Sequence, residues 1–342
     1  MIRTLVSIFL GLLMFNGWSQ ESGYSLFWKD HQAHSILIIQ PMIEGLQVRL
    51  KGSQTPIAGK VSVVETGVRF EPSIPFTNGL DYEVIHESKV IFTFKPDPYL
   101  PPPKVVTIYP KSDVLPENFL KFYIEFDQSM GIGKVYDHIH LYSNNQKIHN
   151  PFLKLQPELW DVTKRILTIW IDPGRIKTDL GPNVHHGPVL QKGLSYQLRI
   201  DTGIVSASGI PIKQGYTKEF IVNQPDKISP NIDNWTITTP SALSFDSLSI
   251  NLHEKMDYSI INHIQIHKRD TIINGKFFLD EDSILTFKPI IPWRSGEYQM
   301  TLTTIAEDLA GNNFNRLFER DLNHTQDNPK EDDYLIINFL VN

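Results

Sequence analysis

Apolar and polar residues alternate over short runs along most of this chain, at 122–126, 167–171, 196–200, 248–252, 284–287 and 298–302. A period of two puts alternate side chains on opposite faces, so each run predicts a half-buried β-strand. Turn residues separate the runs. Prolines fall at run ends, where a missing N–H breaks no ladder bond. Helical periodicity is nearly absent beyond the N-terminal segment. The pattern predicts an all-β chain of short antiparallel strands folded as sandwiches.

The strands recur in a fixed order. Phe122 to Met130 is followed by an alternating run at 137–141, and Leu248 to Met256 by one at 262–266. A fainter copy runs from Ile36 to Met42 and on through 44–48. Each unit continues into a strand ending in proline (Pro72, Pro173, Pro289) and then a glycine–tyrosine strand (Gly79 to Tyr82, Gly193 to Tyr196, Gly296 to Tyr298). Three units in one order predict tandem domains. Proline-rich seams at 97–103, stiff and extended, and at 224–230, less rigid, separate them. The expected division is 21–98, a short and divergent first unit, then 104–224 and 228–342.

Several segments resemble the bacterial Ig-like domains of surface-layer and adhesin-type proteins, the SbsA-type family. They are the strands ending in Met130 and Met256, the segment Pro292-Trp293 to Gly296 and Tyr298, and the late Asp308-Leu-Ala-Gly-Asn312. The third unit matches best, and the middle unit adds 115–123, 158–161 and 172–177. The resemblance implies three tandem immunoglobulin-like β-sandwich domains in an exported bacterial protein. It implies no particular activity, because such folds carry adhesion, spacing and ligand binding without a shared site.

The N-terminus changes the picture of where the chain works. Arg3, an apolar run at 5–15 and Gly17-Trp18-Ser19 before Gln20 have the form of a signal peptide at 1–19. About eleven apolar residues are too few to cross a bilayer, which takes about twenty. No later stretch is long and apolar enough, so no membrane span is expected after cleavage. Export to the periplasm, the cell surface or the extracellular space follows. Losing Arg3 moves the net charge from −6 to −7, which speaks against a nucleic-acid partner. With no cysteine, disulfides, thiolate metal sites and cysteine nucleophiles are excluded together.

Candidate chemistry concentrates in the middle unit. From the strand-ending proline to the tyrosine the chain takes 10 residues in the first unit (72 to 82), 9 in the third (289 to 298) and 23 in the middle one (173 to 196). A second elongated stretch, 150–164, precedes it. Extensions on a rigid sandwich are where binding residues concentrate. The candidate ligand-binding residues are Trp160, Asp161, Asp172, Arg175, Lys177, His185 and His186. Arg175 and Lys177 suit an acidic group, and Trp160 a sugar or a cation. The alternative is a structural loop, with Trp160 filling a core edge and Arg175 paired to Asp172.

The histidine pairs His138/His140 and His263/His267 each share a strand face and suit zinc, but neither has a third ligand at recognisable spacing. The expectation is therefore no metal and no cofactor. Asp308 to Asn312 reads as a tight turn rather than a calcium loop, with Gly311 at positive φ. A hydrolase using Glu158 with Asp172 would need a particular separation across a cleft, and no nucleophile elbow or zinc-protease motif occurs. The sequence thus points to a non-catalytic envelope scaffold or binding protein with an envelope protein or glycan as partner. The alternative is a carbohydrate-binding or accessory module of an envelope enzyme or transporter, with an exposed aromatic platform at Trp160 or Trp293.

Overall fold

The computed structural model describes residues 18–21, 23–29, 32–39, 45–97, 101–177, 181–319 and 333–342, without the side chains of 18–21, 181, 182 and 186. The expected signal peptide lies outside these except for Trp18 and Ser19. The chain forms two compact units, 1–101 and 102–342. Both are built of β-sheets packed face to face, as the alternation predicts.

In the first unit the strands are β1 (Trp18–Glu21), β2 (Tyr24–Lys29), β3 (Gln32–Ile38) and β4 (Gln47–Leu50). They continue as β5 (Gly59–Val64), β6 (Gly67–Pro72), β7 (Tyr82–His86) and β8 (Lys89–Phe94). Sheet β1-β2-β3-β6-β5 and sheet β4-β7-β8 enclose a core that includes Ile36, Val68, Phe70, Phe76 and Phe94.

The second unit contains two sandwiches. The first has β9 (Val105–Tyr109), β10 (Val114–Pro116), β11 (Lys121–Phe126), β12 (Ile139–Ser143) and β13 (Gln146–Lys147). Then come β14 (Leu159–Trp160), β15 (Ile166–Trp170), the short helix α1 (Gly181–His186), β16 (Ser195–Ile200) and β17 (Tyr216–Asn223). Its sheets run β10-β17-β16-β12-β13 and β14-β15-β11-β9. The following sandwich has β18 (Thr236–Thr238), β19 (Leu248–Asn251), β20 (Ile264–Lys268) and β21 (Thr271–Ile272). Its remaining strands are β22 (Gly275–Asp280), β23 (Ile284–Pro289), β24 (Gly296–Thr303) and β25 (Tyr334–Val341). They form sheets β18-β19-β23-β22 and β21-β20-β24-β25. Among described residues every strand pairing is antiparallel except β10 with β17.

The sequence repeats have physical counterparts. Tyr82 Oη accepts from Thr77 N at 2.9 Å, Tyr196 Oη from Gln191 N at 2.9 Å, and Tyr298 Oη from Arg294 N at 3.0 Å. Each recurring tyrosine thus ties its strand to the loop before it, the job of a tyrosine corner. The third tyrosine reaches four residues back rather than five, matching its shorter glycine–tyrosine spacing. A second counterpart was not legible in sequence. Gly59 pairs with Pro72 and Gly275 with Pro289, and a Cβ at either glycine would lie 2.5 or 2.3 Å from the neighbouring Phe70 or Phe287 ring. The divergent first unit therefore shares a packing detail with the third.

The seam at 224–230, expected as a linker, is pinned. Asn118 Nδ2 donates to Asp226 O at 2.6 Å, and Asp226 N donates to Asn118 Oδ1 at 2.8 Å. Asn312 Nδ2 adds bonds to the carbonyls of Asp226 and Ile228. The backbone of a proline-bearing seam still carries donors and acceptors, and neighbouring asparagines occupy them.

Candidate functional site

The two elongated stretches of the middle sandwich meet at one side chain. Arg175 is buried, with 7 % of its surface exposed. Its guanidinium donates to the carbonyls of Gly187 (3.0 Å), His149 (2.9 Å), Asn150 (3.4 Å) and Pro188 (3.4 Å). The planar fork of five donors suits this task, since it can satisfy several orphan carbonyls at once. Burial lowers the Arg175 pKa, opposed by Asp172. Asp172 itself caps the turn Pro173–Arg175 by accepting from Gly174 N at 2.9 Å.

The other sequence-flagged residues are distributed around this clamp. Lys177 stands over the Phe318 ring at 4.3 Å. Val184 and His185, on α1, are exposed, and the His186 side chain lies outside the described residues. Trp160 is half-buried at the core edge, tilted against Phe126 at 5.8 Å. Its Nε1 donates to Glu158 Oε2 at 2.9 Å. Buried Glu158 also accepts from Gly133 N and Val135 N. Asp161 accepts from Thr163, Arg165 N and Ile166 N. Burial raises its pKa, but these bonds outweigh burial and hold the carboxyl below the usual range.

Trp293 is 1 % exposed, with its Nε1 donating to Asp246 O at 2.8 Å. Trp293 is therefore not the exposed aromatic platform that the carbohydrate reading expected, while Trp160 keeps part of its surface exposed at the core edge. If Arg175 organises the loop rather than a ligand, Arg175→Ala leaves up to four carbonyls without their donor. We expect a loss of about 1–3 kcal/mol, read in denaturant unfolding, and new protease cleavage within 174–190.

An open groove of about 730 Å³ runs along β12, β16 and β17 and is closed at one side by Thr107 and Ile108 of β9 and by Lys111, Asp113 and Val114. Tyr142, Asn145, Gln197 and Glu219 line it. Arg199 covers the Tyr142 ring at 4.2 Å and donates to Gln197 Oε1 at 3.0 Å, while Gln197 donates to Glu219 at 2.7 Å. Sequence reasoning missed this groove because its residues come from five strands and the loops between them and form no motif.

The histidine pairs find protein partners. His138 Nδ1 lies 2.8 Å from Asp201 Oδ1, and His140 Nε2 lies 3.5 Å from Oδ2. His263 and His267 bond to Thr303 and Thr301 on the facing strand. Among described residues no group of three or more histidines or acids is arranged to hold a metal.

A buried polar cluster joins the middle sandwich to the next one. Lys121, on β11, has a side chain 7 % exposed. Its Nζ lies 2.6 Å from Glu307 and 3.4 Å from Asp257, with the Trp170 ring 5.0 Å away. Asp257, 1 % exposed, also accepts from Tyr123 Oη at 2.6 Å. Burial lowers the Lys121 pKa, but Asp257 and Glu307 outweigh it, and the net shift is upward. Burial beside Asp257 drives the Tyr123 hydroxyl well above its ordinary range.

Tyr109 stacks on Tyr258 at 4.0 Å. Asp282, fully buried at the tip of the β22–β23 hairpin, accepts from Lys111 N at 2.8 Å and Ser112 N at 2.7 Å. Satisfied in this way, buried charges fix one geometry between the two sandwiches.

The Asp308–Asn312 turn completes the junction. Gly311 has φ +80°, and Asp308 Oδ1 accepts from Ala310 N and Asn312 N, as expected for a tight turn. Leu309 belongs to the middle sandwich's apolar core, and its carbonyl accepts from Leu120 N at 3.1 Å. The turn is thus a latch between sandwiches. Burial pushes the Asp308 pKa up to about 7, against the donors from Asn312 and Ala310.

A raised acid pKa stabilises the fold fully below the unfolded value of 3.8, and that contribution is lost as pH rises through about 7. From about pH 5 to pH 8 the protein should therefore lose about 2–3 kcal/mol relative to Asp308→Asn. Denaturant titrations of the two proteins across that range check the slope, whatever constant offset the amide introduces.

No protein-family model matches the chain, and no curated protein matches it. Among solved structures it is similar to an Escherichia coli alpha-2-macroglobulin fragment spanning domains MG0-NIE-MG1, at 8% identity and TM-score 0.23, covering 59% of this chain and 66% of that one. It is also similar to the N-terminal part of the bacterial S-layer protein SbsC, at 13% identity and TM-score 0.23, covering 59% of this chain and 41% of that one. The full ectodomain of mouse nectin-like molecule 4, with domains Ig1 to Ig3, aligns at 7% identity and TM-score 0.23, covering 75% and 83%. The chain spans less than two thirds of the length of the first two. Its sandwich fold rests on its own sheets and cores rather than on these likenesses.

Proposed function

We propose that this chain is an exported cell-envelope protein, a non-catalytic scaffold of immunoglobulin-like sandwiches that holds a binding surface at a fixed orientation. The observation that carries the scaffold reading is the junction of the middle and third sandwiches, where Lys121, Asp257, Glu307, Asp282 and the 308–312 turn interlock. Two domains joined by a flexible linker have no use for buried ion pairs between them, whereas a spacer that must keep its geometry does. Export is supported by the leader-like pattern of Arg3, the apolar run 5–15 and Gly17-Trp18-Ser19. The test is expression of the full chain in a bacterial host, followed by fractionation and N-terminal sequencing. The reading expects envelope or medium fractions and a chain beginning at Gln20; an uncleaved cytoplasmic protein would overturn it.

A recognition role, for an envelope glycan or protein, is favoured at the groove rather than at Trp160. Tyr142 beside the amide, guanidinium and carboxylate of Asn145, Gln197, Arg199 and Glu219 offers the apolar ring and paired polar groups that sugars require. Binding to envelope glycans and peptidoglycan fragments, lost in Tyr142→Ala and kept in Trp160→Phe, would support that role.

A further inference from the structure

Sheet edges expose unpaired N–H and C=O groups, and soluble proteins protect them with short strands, charges, prolines or bulges. The described sheets of this chain follow that rule with one exception. The edge strands β1, β4, β9, β10, β13, β14, β18 and β21 are five residues long or shorter. The six-residue edges β5, β8 and β22 carry Lys60, Lys89 and Lys276. The remaining edge, β25, is eight residues long and contains no charge, proline or glycine. It pairs with β24 over its whole length, and among described residues no strand pairs with its other side.

The faces of β25 are equally unguarded. Tyr334, Ile336 and Leu340 point outward, 60 %, 55 % and 48 % exposed. On the inner face Phe339 and Val341 are buried, while Leu335 and Ile337 remain half-covered. An added strand would extend the sheet, complete the burial of those two and cover the outward row.

We propose that β25 is a self-association edge, at which a second copy of this chain pairs antiparallel about a two-fold axis through Ile337. The strand is self-complementary in that register. Tyr334 faces Leu340, Leu335 faces Phe339 and Ile336 faces Asn338, each on matching sides of the sheet. The two ends of the strand also differ in charged surroundings. Asp333 precedes the strand at one end. At the other, beside the Gly296–Val341 pair, lie Arg294 and Lys268, the latter's Nζ held on the Arg294 and Ser295 carbonyls. An antiparallel partner sets Asp333 of each copy opposite Val341 of the other, with Glu297 and Arg294 one strand further in and Lys268 reaching Gly296 from β20 beyond. A two-fold contact closes on itself, so the product is a dimer joined by one continuous sheet. This inference does not depend on the scaffold reading.

The test is sedimentation velocity on the full purified chain, compared with Ile336→Lys/Leu340→Lys. Both positions are exposed, so the variant should unfold as the parent does. A micromolar dissociation constant would leave most of the parent dimeric at about 100 μM, and the variant should be monomeric there. Because the chain has no cysteine, single replacements report register directly. Oxidation should link Ile337→Cys far more than Ile336→Cys or Asn338→Cys. A parent that stays monomeric, a dimer indifferent to the two lysines, or equal linking at all three positions would overturn the proposal.

Discussion

Replacing Gly311 with alanine should destabilise the second unit by about 2–5 kcal/mol, the sum of a left-handed backbone and an overpacked contact. Gly311 sits at φ +80°, and a Cβ there would lie 2.1 Å from Leu120 Cδ1 and 3.3 Å from Phe318 Cδ2. Leu120 cannot retreat easily, because its side chain is fully buried and its N–H is bonded to Leu309 O. The turn must therefore withdraw from the middle sandwich and take Leu309 out of the core. We expect unfolding in two steps, the third sandwich separating first. Calorimetry reads both the loss and the change of cooperativity.

Lys121→Met should cost a comparable amount. Methionine matches the stem of lysine but leaves Asp257 and Glu307 facing each other without a cation. Breaking a buried ion pair from one side costs about 3–5 kcal/mol, because the remaining charge stays desolvated. Asp257→Asn made in the same background should cost far less than it does alone, and a double-mutant cycle on denaturant unfolding measures that coupling. The pH dependence has a defined sign as well. Lys121 has a raised pKa, so its contribution is present below the ordinary lysine value and disappears as pH climbs through the folded one.

Much of the fold was legible in the sequence because strand burial has a period of two and three units repeat it. The strand 195–200 shows this directly, with Tyr196, Leu198 and Ile200 buried between exposed or half-exposed neighbours. The tight turn at 308–312 was legible too, since Asp, Gly and Asn are the residues such a backbone selects. Its partner was not. Leu120 lies nearly two hundred residues before Gly311, and nothing local marks it as the surface the turn meets. The same distance hid the Lys121 cluster, whose acids lie 136 and 186 positions further along.

The residues flagged in the middle unit illustrate the limit from the other side. Length alone singled out the two extensions, and Arg175 does bring them together, though by binding carbonyls. A side chain's donors are visible in sequence, but whether backbone or ligand receives them is decided by how the loops close. Trp160 turned inward for a comparable reason, since Phe126 and Glu158 offer its ring and its N–H a partner each.

The interlocked junction should make the middle and third sandwiches one stiff body. Absence of native cysteine makes a double-label distance measurement clean. Nitroxides at Ile221→Cys and Ile290→Cys, 52 % and 70 % exposed on the two sandwiches, would be measured by pulsed electron resonance. A single narrow distance distribution that broadens on Gly311→Ala is the predicted result. A broad distribution in the parent protein, unchanged by that substitution, would mean that the two sandwiches move independently.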